Sequence, residues 1–395
     1  MKIKLGVLFG GMSVEHEVSI ITAIQAINKI DRGKYEVVPI YITKEGNWYT
    51  GNMLLDIEIY KDLDLMKRYA KEVVLYNKDG RFILQNKNGF LKRNVCEIDM
   101  ALPIMHGTKG EDGALQGYLE TIGIPYSESN VYASSVGQDK IFMKQIFESS
   151  GVNIVKYKWF FDTDYLNDSD KVIKEVEKLG YPVIIKPATL GSSVGISVAH
   201  DETELKVAIG DAIRYDTKIL VEEMIQNLKE VNISVLGNYE KQKLSVIEEV
   251  GSKNELLTYE DKYIGGGKKT PSKGMASAKR IIPAKINEKL ANDVRDLAIL
   301  AFRSLNSSGV VRIDFLIDTK SEKVYVNEIN SIPGSLSFYL WEKTDKDYEE
   351  LLDDIINLGI VAYKNKNKKT ITFETNILEG YNGLKGAKGI KKWKK

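Results

Sequence analysis

Cysteine is nearly missing from this chain. Cys96 is the only one among 395 residues, which excludes an internal disulfide framework, a CxxC redox pair and a cysteine-based zinc site. Long apolar runs are missing too. The opening "MKIKLGVLFGG" is too short for a signal-peptide core with its cleavage site, and no later run approaches the roughly 20 apolar residues of a membrane helix. Net charge is equally scarce: 56 basic and 55 acidic residues leave +1, so no overall field draws nucleic acid or an anionic membrane. Neither the GxxxxGK[ST] phosphate loop nor the GxGxxG dinucleotide fingerprint occurs, so any nucleotide is held by other means. These absences point to a cytoplasmic protein that works on small molecules, with no nucleic-acid or membrane partner.

What is present is enough apolar material, 43% of residues against 28% charged, for two or three domains. In the first third, "IKLGVLFGG", "YEVVPIYIT" and "IDMALPIM" read as strands and "EVSIITAIQAINKI" as a helix, with further helical segments between. This α/β rhythm predicts a parallel sheet covered by helices. The loops "FGGMSVEHE" and "MHGTKGEDG" follow strand ends, where open α/β sheets bind ligands.

From about residue 129 the grammar becomes α+β. A helix over "SSVGQDKIFMKQIFESSG", the strand "YKWFF" and the strand-loop-strand "YPVIIKPATLGSSVGISVAH" lead through "KILVEEMI" to the antiparallel pieces "EVNISVLGN" and "KLSVIEEV". A polar glycine-rich stretch at 265–279 reads as a mobile loop. A long helix, the strands "GVVRIDFLID" and "VYVNEIN" and a last helix close this part. The expected boundaries are 1–128, 129–221 and 222–364, followed by a basic, solvated tail at 365–395 with one short strand, "TITFET".

Two stretches carry chemistry. In "RIDF" and "NEIN", Arg312 and Asp314, and Glu328 and Asn330, stand two apart and share a strand face. If those strands pair, Asp314, Glu328 and Asn330 converge as hard oxygen ligands for Mg²⁺, and Arg312 reaches the anion that the metal holds. An ordinary sheet edge with solvated charges is the other reading. In "IIKPATLGSSVG", Lys186 ends an apolar strand, and Gly191, Ser192, Ser193 and Gly195 form a loop whose N–H groups and hydroxyls suit phosphate oxygens. A hairpin turn explains the same residues.

Taken in order, "GGMSVEHEVS", "HGTKGEDGALQG", "SSVGQDK", "KPATLGSSVGIS", "DKY", "RIDF" and "NEIN...PG" resemble the D-alanine-D-alanine ligases of the ATP-grasp superfamily, from about residue 3 to 364. The resemblance implies an ATP-grasp fold: an N-terminal parallel α/β domain and two α+β domains enclosing ATP. It implies phosphorylation of one D-amino acid's carboxylate by ATP, attack by the amine of a second, and loss of phosphate, in support of peptidoglycan precursor synthesis. Glu15 would bind the ammonium of the first amino acid, with His106 beside it and Ser192 bonded to Glu15. Lys140, Lys186, Ser193 and Lys262 would contact ATP phosphates, Glu222 and Glu230 adenine and ribose, and Tyr263 would shield the site on a closing loop. Asp314, Glu328 and Asn330 would hold two Mg²⁺ ions, with Mn²⁺ as a substitute, while Arg312 and the Gly334 N–H stabilise the oxyanion. Similar ligases are commonly homodimers. His16 and His200 match no catalytic position and are expected at the surface.

The chain departs from this family after Gly334. Where similar ligases place a serine element for the second substrate's carboxylate, it reads "PGSLSFYLWEKTDKDY", leaving Ser335, Ser337 and Tyr339 as the available hydroxyls. Three functions stay open on the sequence: D-Ala-D-Ala ligation, ligation to another acceptor amino acid or hydroxy acid, and a non-catalytic nucleotide-binding module that interacts through its tail.

Overall fold

The structure, a computed structural model, describes residues 2–88, 93–191, 194–251, 280–373 and 375. Three sheets organise them. The first is built from β1 (Ile3–Gly10), β2 (Tyr35–Ile42), β3 (Trp48–Thr50), β4 (Lys71–Lys78), β5 (Arg81–Asn86), β6 (Asn94–Ile98) and β7 (Met100–Ile104), in the order β6-β5-β4-β3-β2-β1-β7. Only β2, β1 and β7 run parallel. These are the three strands expected from the sequence; the remaining four are antiparallel and occupy the stretch read as helical segments. The physical reason lies in the turn between β4 and β5. Asp79 and Gly80 both take positive φ (54° and 80°), the two-residue hairpin geometry that Asp-Gly favours, so the chain reverses without a crossover helix.

The second sheet holds β8 (Tyr157–Phe161), β9 (Val183–Pro187), β10 (Ser197–Ala199) and β11 (Lys218–Glu223), ordered β10-β9-β11-β8. The third holds β12 (Leu228–Gly237), β13 (Gln242–Val250), β14 (Arg280–Ile281), β15 (Gly309–Asp318) and β16 (Lys323–Asn330), ordered β14-β13-β12-β15-β16. Helices α1 (His16–Ile27), α2 (Leu63–Tyr69) and α3 (Ala114–Ile122) belong to the first part; α4 (Val131–Gln138) and α5 (Lys140–Ser149) lead out of it. Helices α6 (Asp162–Asn167), α7 (Ser169–Glu177) and α8 (Glu202–Ala212) accompany the second sheet, and α9 (Glu288–Ser304), α10 (Phe338–Trp341) and α11 (Tyr348–Asn367) the third.

Alternation in "GVVRIDFLID" decides the third sheet. Val311, Ile313, Phe315 and Ile317 are buried, and Arg312, Asp314, Leu316 and Asp318 are half-buried on the opposite face. The buried set meets α9, whose Leu290, Ala291, Val294, Ala298, Ala301 and Phe302 recur at three- and four-residue spacing. At the chain's end, α11 returns to the first sheet, where Leu351, Leu352, Ile355 and Ile356 share a core with Phe9, Leu102 and Ile104. The Asp353 carboxylate accepts from the Tyr35 hydroxyl at 2.6 Å on the same contact.

Two smaller expectations need correction. The single helix expected from Ser134 is two helices, because Asp139 leaves helical geometry and caps α5 by accepting from the Ile141 and Phe142 N–H groups. The described residues of "TITFET", 370–373 and 375, form no strand. Among the described residues no helix is long and apolar enough to cross a membrane.

Candidate active site

The polar face of the third sheet gathers the residues of "RIDF" and "NEIN". Strands β15 and β16 pair so that Arg312 stands opposite Asn330 and Asp314 opposite Glu328. Arg312 donates through Nε and Nη2 to the two oxygens of Asp314 at 2.7 and 2.8 Å, a two-point contact, and Asn330 Nδ2 donates to Asp314 Oδ2 at 3.3 Å. Burial opposes the charge on Arg312, but Asp314 outweighs it and holds the guanidinium firmly protonated. A β-bulge follows the Asp314–Glu328 pair and turns Asn327 toward the same cleft. One face of β15 is therefore core, and the other carries Arg312 and Asp314 into the cleft.

A lysine cluster faces that row. Lys186, at the end of β9, lies 2.5 Å from Glu222 Oε2 and donates to Asn327 Oδ1 at 3.3 Å. Lys144 lies 2.5 Å from Glu222 Oε1 with only 1% of its side chain exposed. Burial alone would raise the Glu222 carboxyl, but the two lysines bring it down to about 2. Lys140, first residue of α5, donates to the Leu190 carbonyl at 2.6 Å and comes within 3.9 Å of Glu328. Burial pushes its ammonium pKa down, as it does that of Lys144, while Glu222 lifts that of Lys186 against burial. Glu222 thus sits enclosed between two lysines. Glu230, on β12, stands opposite Val250 and Leu316 and adds its charge to the field at Lys186.

The loops of the first sheet supply a third group. Glu15 precedes α1, and its carboxylate lies against Gly107 and Gly191: a Cβ on Gly107 would come within 2.7 Å of Glu15 Oε2, one on Gly191 within 3.2 Å. Gly107 also has φ +69°, so both conformation and space require glycine there. His106 is buried. Its Nδ1–H donates to the Ile332 carbonyl at 2.8 Å, and Nε2 accepts from the Thr22 hydroxyl at 3.0 Å. Thr22 Oγ1 in turn accepts from the Ser335 N–H at 3.0 Å, so one neutral imidazole ties α1 to the turn after β16. Burial lowers the His106 pKa, consistent with that neutral tautomer.

Glu111 repeats the tie. Its two oxygens accept from the N–H groups of Gly107 at 2.8 Å and Ile332 at 2.9 Å, while burial, and then repulsion from Glu15, push its carboxyl up to about 8. His16, expected at the surface, is buried instead: its ring bridges the Gly11 carbonyl at 2.7 Å and the Tyr41 hydroxyl at 3.0 Å, because the first turn of α1 packs beneath the first strands. His200 is exposed, as expected.

After Pro333 the chain makes a tight left-handed turn, with φ of 53°, 48° and 51° at Ser335, Leu336 and Ser337. Gly334 opens this turn. Ser335 is half-buried, and Ser337 is buried with its hydroxyl inside. The Tyr339 hydroxyl donates to Glu248 Oε2 at 3.1 Å, and burial pushes its pKa to about 12. Ser192, Ser193, Lys262 and Tyr263 lie outside the described residues, as does the loop at 265–279.

Sequence reasoning missed Thr22, Glu111, Lys144, Asn327, Glu248 and Arg280. Lys144 carried a usable signal, because it lies four residues from Lys140 on one helix and so shares its face. The others are joined to the site by partners far away in sequence.

As donors, Asp314, Glu328 and Asn330 offer two carboxylates and an amide oxygen, chemistry suited to Mg²⁺, with the remaining positions left for phosphate and water. Among the described residues no group of three or more His, Cys, Asp or Glu is placed to hold a metal; this set has two carboxylates and the Asn330 amide.

Comparison with known proteins follows the same residues. Residues 4–129 match the family described as D-ala D-ala ligase N-terminus, and 146–357 that described as D-ala D-ala ligase C-terminus. The D-alanine-D-alanine ligase of Thermosipho melanesiensis is 41% identical over 379 residues, covering 95% of this chain and 98% of its own. Among solved structures, the D-alanine-D-alanine ligase from Coxiella burnetii superposes with a TM-score of 0.78 at 29% identity, covering 93% of this chain and 96% of its own. The VanG D-Ala:D-Ser ligase from Enterococcus faecalis gives 0.76 at 28% identity, covering 91% and 100%.

Proposed function

We propose a division of labour for a chain that belongs to the D-alanine-D-alanine ligase family, and that therefore joins two D-alanines at the expense of ATP for peptidoglycan precursors. The observation that carries it is the shared polar face on which Arg312, Asp314, Glu328 and Asn330 meet the lysines of α5 and β9. Glu15, beside Gly107 and His106, receives the ammonium of the first D-alanine and points its carboxylate toward Arg312. Lys140 and Lys186 neutralise ATP phosphates, and Glu222, held between Lys144 and Lys186, keeps them aimed. Glu230 takes the ribose, and Glu222 meets the adenine from the strand that carries it.

Asp314, Glu328 and Asn330 would hold Mg²⁺, whose charge would offset that of the phosphate oxygens. Positioning and charge neutralisation suffice for phosphoryl transfer, so no nucleophilic side chain is needed. The first D-alanine's carboxylate takes the γ-phosphoryl group and ADP leaves. The second D-alanine's amine then attacks the acyl carbon; the C–N bond forms, the C–O bond to phosphate breaks, and the amine loses a proton. Arg312 and the Gly334 N–H face the oxygen that turns negative in that step. Ser192, Ser193, Lys262 and Tyr263 complete the phosphate contacts and cover by analogy with the family alone.

The readings with another acceptor, or without catalysis, gain nothing from the comparisons. We further place the protein in the cytoplasm, as a homodimer whose partners are D-amino acids, with domain divisions near 128, 221 and 364. Phosphate release from ATP and Mg²⁺ with D-alanine alone, with the product identified by mass, tests this reading. D-Ala-D-Ala is expected, and release only with a different partner would overturn the acceptor assignment.

A further inference from the structure

The second D-alanine brings a carboxylate to a site already rich in acidic groups, and a cation has to receive it. Lys140, Lys144 and Lys186 lie at the nucleotide end, beside Glu328 and Glu222. Arg312 donates to both oxygens of Asp314 and is assigned above to the first D-alanine and the oxyanion. Arg280 remains. It pairs with Val250, two residues from Glu248 and therefore on the same face; Glu248 stands opposite Asn232, and Asn232 opposite Asp314. One row thus leads from Arg280 to the centre of the site.

Its setting is built rather than incidental. Nε lies 3.3 Å from Glu248 Oε1, and the guanidinium carbon sits 4.8 Å from the centroid of the Tyr339 ring. The Arg280 side chain is 28% exposed, whereas that of Glu248 is 2% exposed. Glu248 accepts from the Tyr339 hydroxyl as well, so one buried carboxylate fixes both the cation and the ring it stacks on. Arginine carries five N–H donors in a fixed fork. With Nε turned toward Glu248 as an ion pair, the two terminal amino groups would serve a carboxylate.

We propose that Arg280 binds the carboxylate of the second D-alanine, with Glu248 and Tyr339 as positioning residues. This rests on the ligase reading above and names the residue that replaces the serine element missing after Gly334. Tyr339 then serves the acceptor through its ring and its bond to Glu248, not as a direct hydroxyl ligand.

D-Alaninamide separates carboxylate recognition from everything else, because without a carboxylate it cannot be phosphorylated and can only accept. Supplied together with D-alanine, it competes for one acyl phosphate, and mass spectrometry reads the ratio of D-Ala-D-Ala to its amide. In Arg280→Gln the preference for D-alanine over the amide is expected to fall about 10- to 100-fold, the worth of a charge-assisted contact. Trapping of D-alanyl phosphate with hydroxylamine is expected to continue at the wild-type rate. Arg280→Lys keeps the charge without the fork, and is expected to show a smaller loss of preference; it decides the question if the glutamine variant does not fold. An unchanged preference in a folded variant overturns the assignment, even if overall turnover drops. Wild-type protein that makes neither hydroxamate nor dipeptide from ATP and D-alanine would instead overturn the ligase reading itself.

Discussion

The two faces of the third sheet are made by the same strands and do opposite work. On β15, Val311, Ile313, Phe315 and Ile317 disappear into the core against α9, while Arg312 and Asp314, one residue away each time, face the cleft. Side chains on a strand alternate, so a single alternation writes the stabilising surface and the chemical surface at once. The difference teaches where each kind of damage should appear. Core-face changes should cost stability, and cleft-face changes should cost turnover.

The largest effect expected on the core side is Phe302→Ala. Phe302 is fully buried on α9 against the sheet, so truncation should cost about 3–5 kcal/mol in chemical denaturation. Turnover of the protein that stays folded should hardly change, and a matching loss of turnover would break the separation. On the substrate side, Glu15→Gln should raise KM for the first D-alanine by about 10- to 100-fold, the worth of a charge-assisted contact, with KM for ATP unmoved. If both constants rise together, Glu15 organises the loops and does not hold the ammonium.

A finer separation comes from pH. The Glu111 carboxyl titrates near 8 in the fold because it is buried and Glu15 repels its charge, against roughly 4.3 in an unfolded chain. Between those values the folded protein binds the extra proton, so stability falls as pH rises through the window. Thermal melts from pH 5 to 8 should decline for the wild type and lose that component of the slope in Glu111→Gln. Equal slopes would show that Glu111 is ionised throughout, as its two N–H donors favour.

The third sheet was legible because its signals are local. The alternation in 309–318 and 324–330 marked the strands and their polar face, while their pairing was a condition that the structure meets. The antiparallel half of the first sheet was not read, although Asp79-Gly80 announces its hairpin, because short strands with mixed polarity look like connecting helices and loops. Lys140, Lys186, Arg312, Asp314, Glu328 and Asn330 were named from motifs and do come together across four elements. Glu111 was passed over because its meaning depends on Ile332, 221 positions away, and Asn327 because a bulge, not the period of the strand, aims it. Buried carboxylates that tie loops together leave no periodic trace.

Glu328 and Ile329 are neighbours on opposite faces, and comparing them tests the central claim most directly. D-alanine-dependent phosphate release and thermal stability would be measured for Glu328→Gln and Ile329→Ala. Glu328→Gln should lose on the order of 100-fold or more in kcat while melting like the wild type, since it removes a charge beside the transferring phosphoryl group. Ile329→Ala should lose about 2–5 kcal/mol of stability with turnover largely kept. Near wild-type turnover in Glu328→Gln, with Ile329→Ala as the more damaging change to kcat, would contradict the assignment of the polar face to phosphoryl transfer.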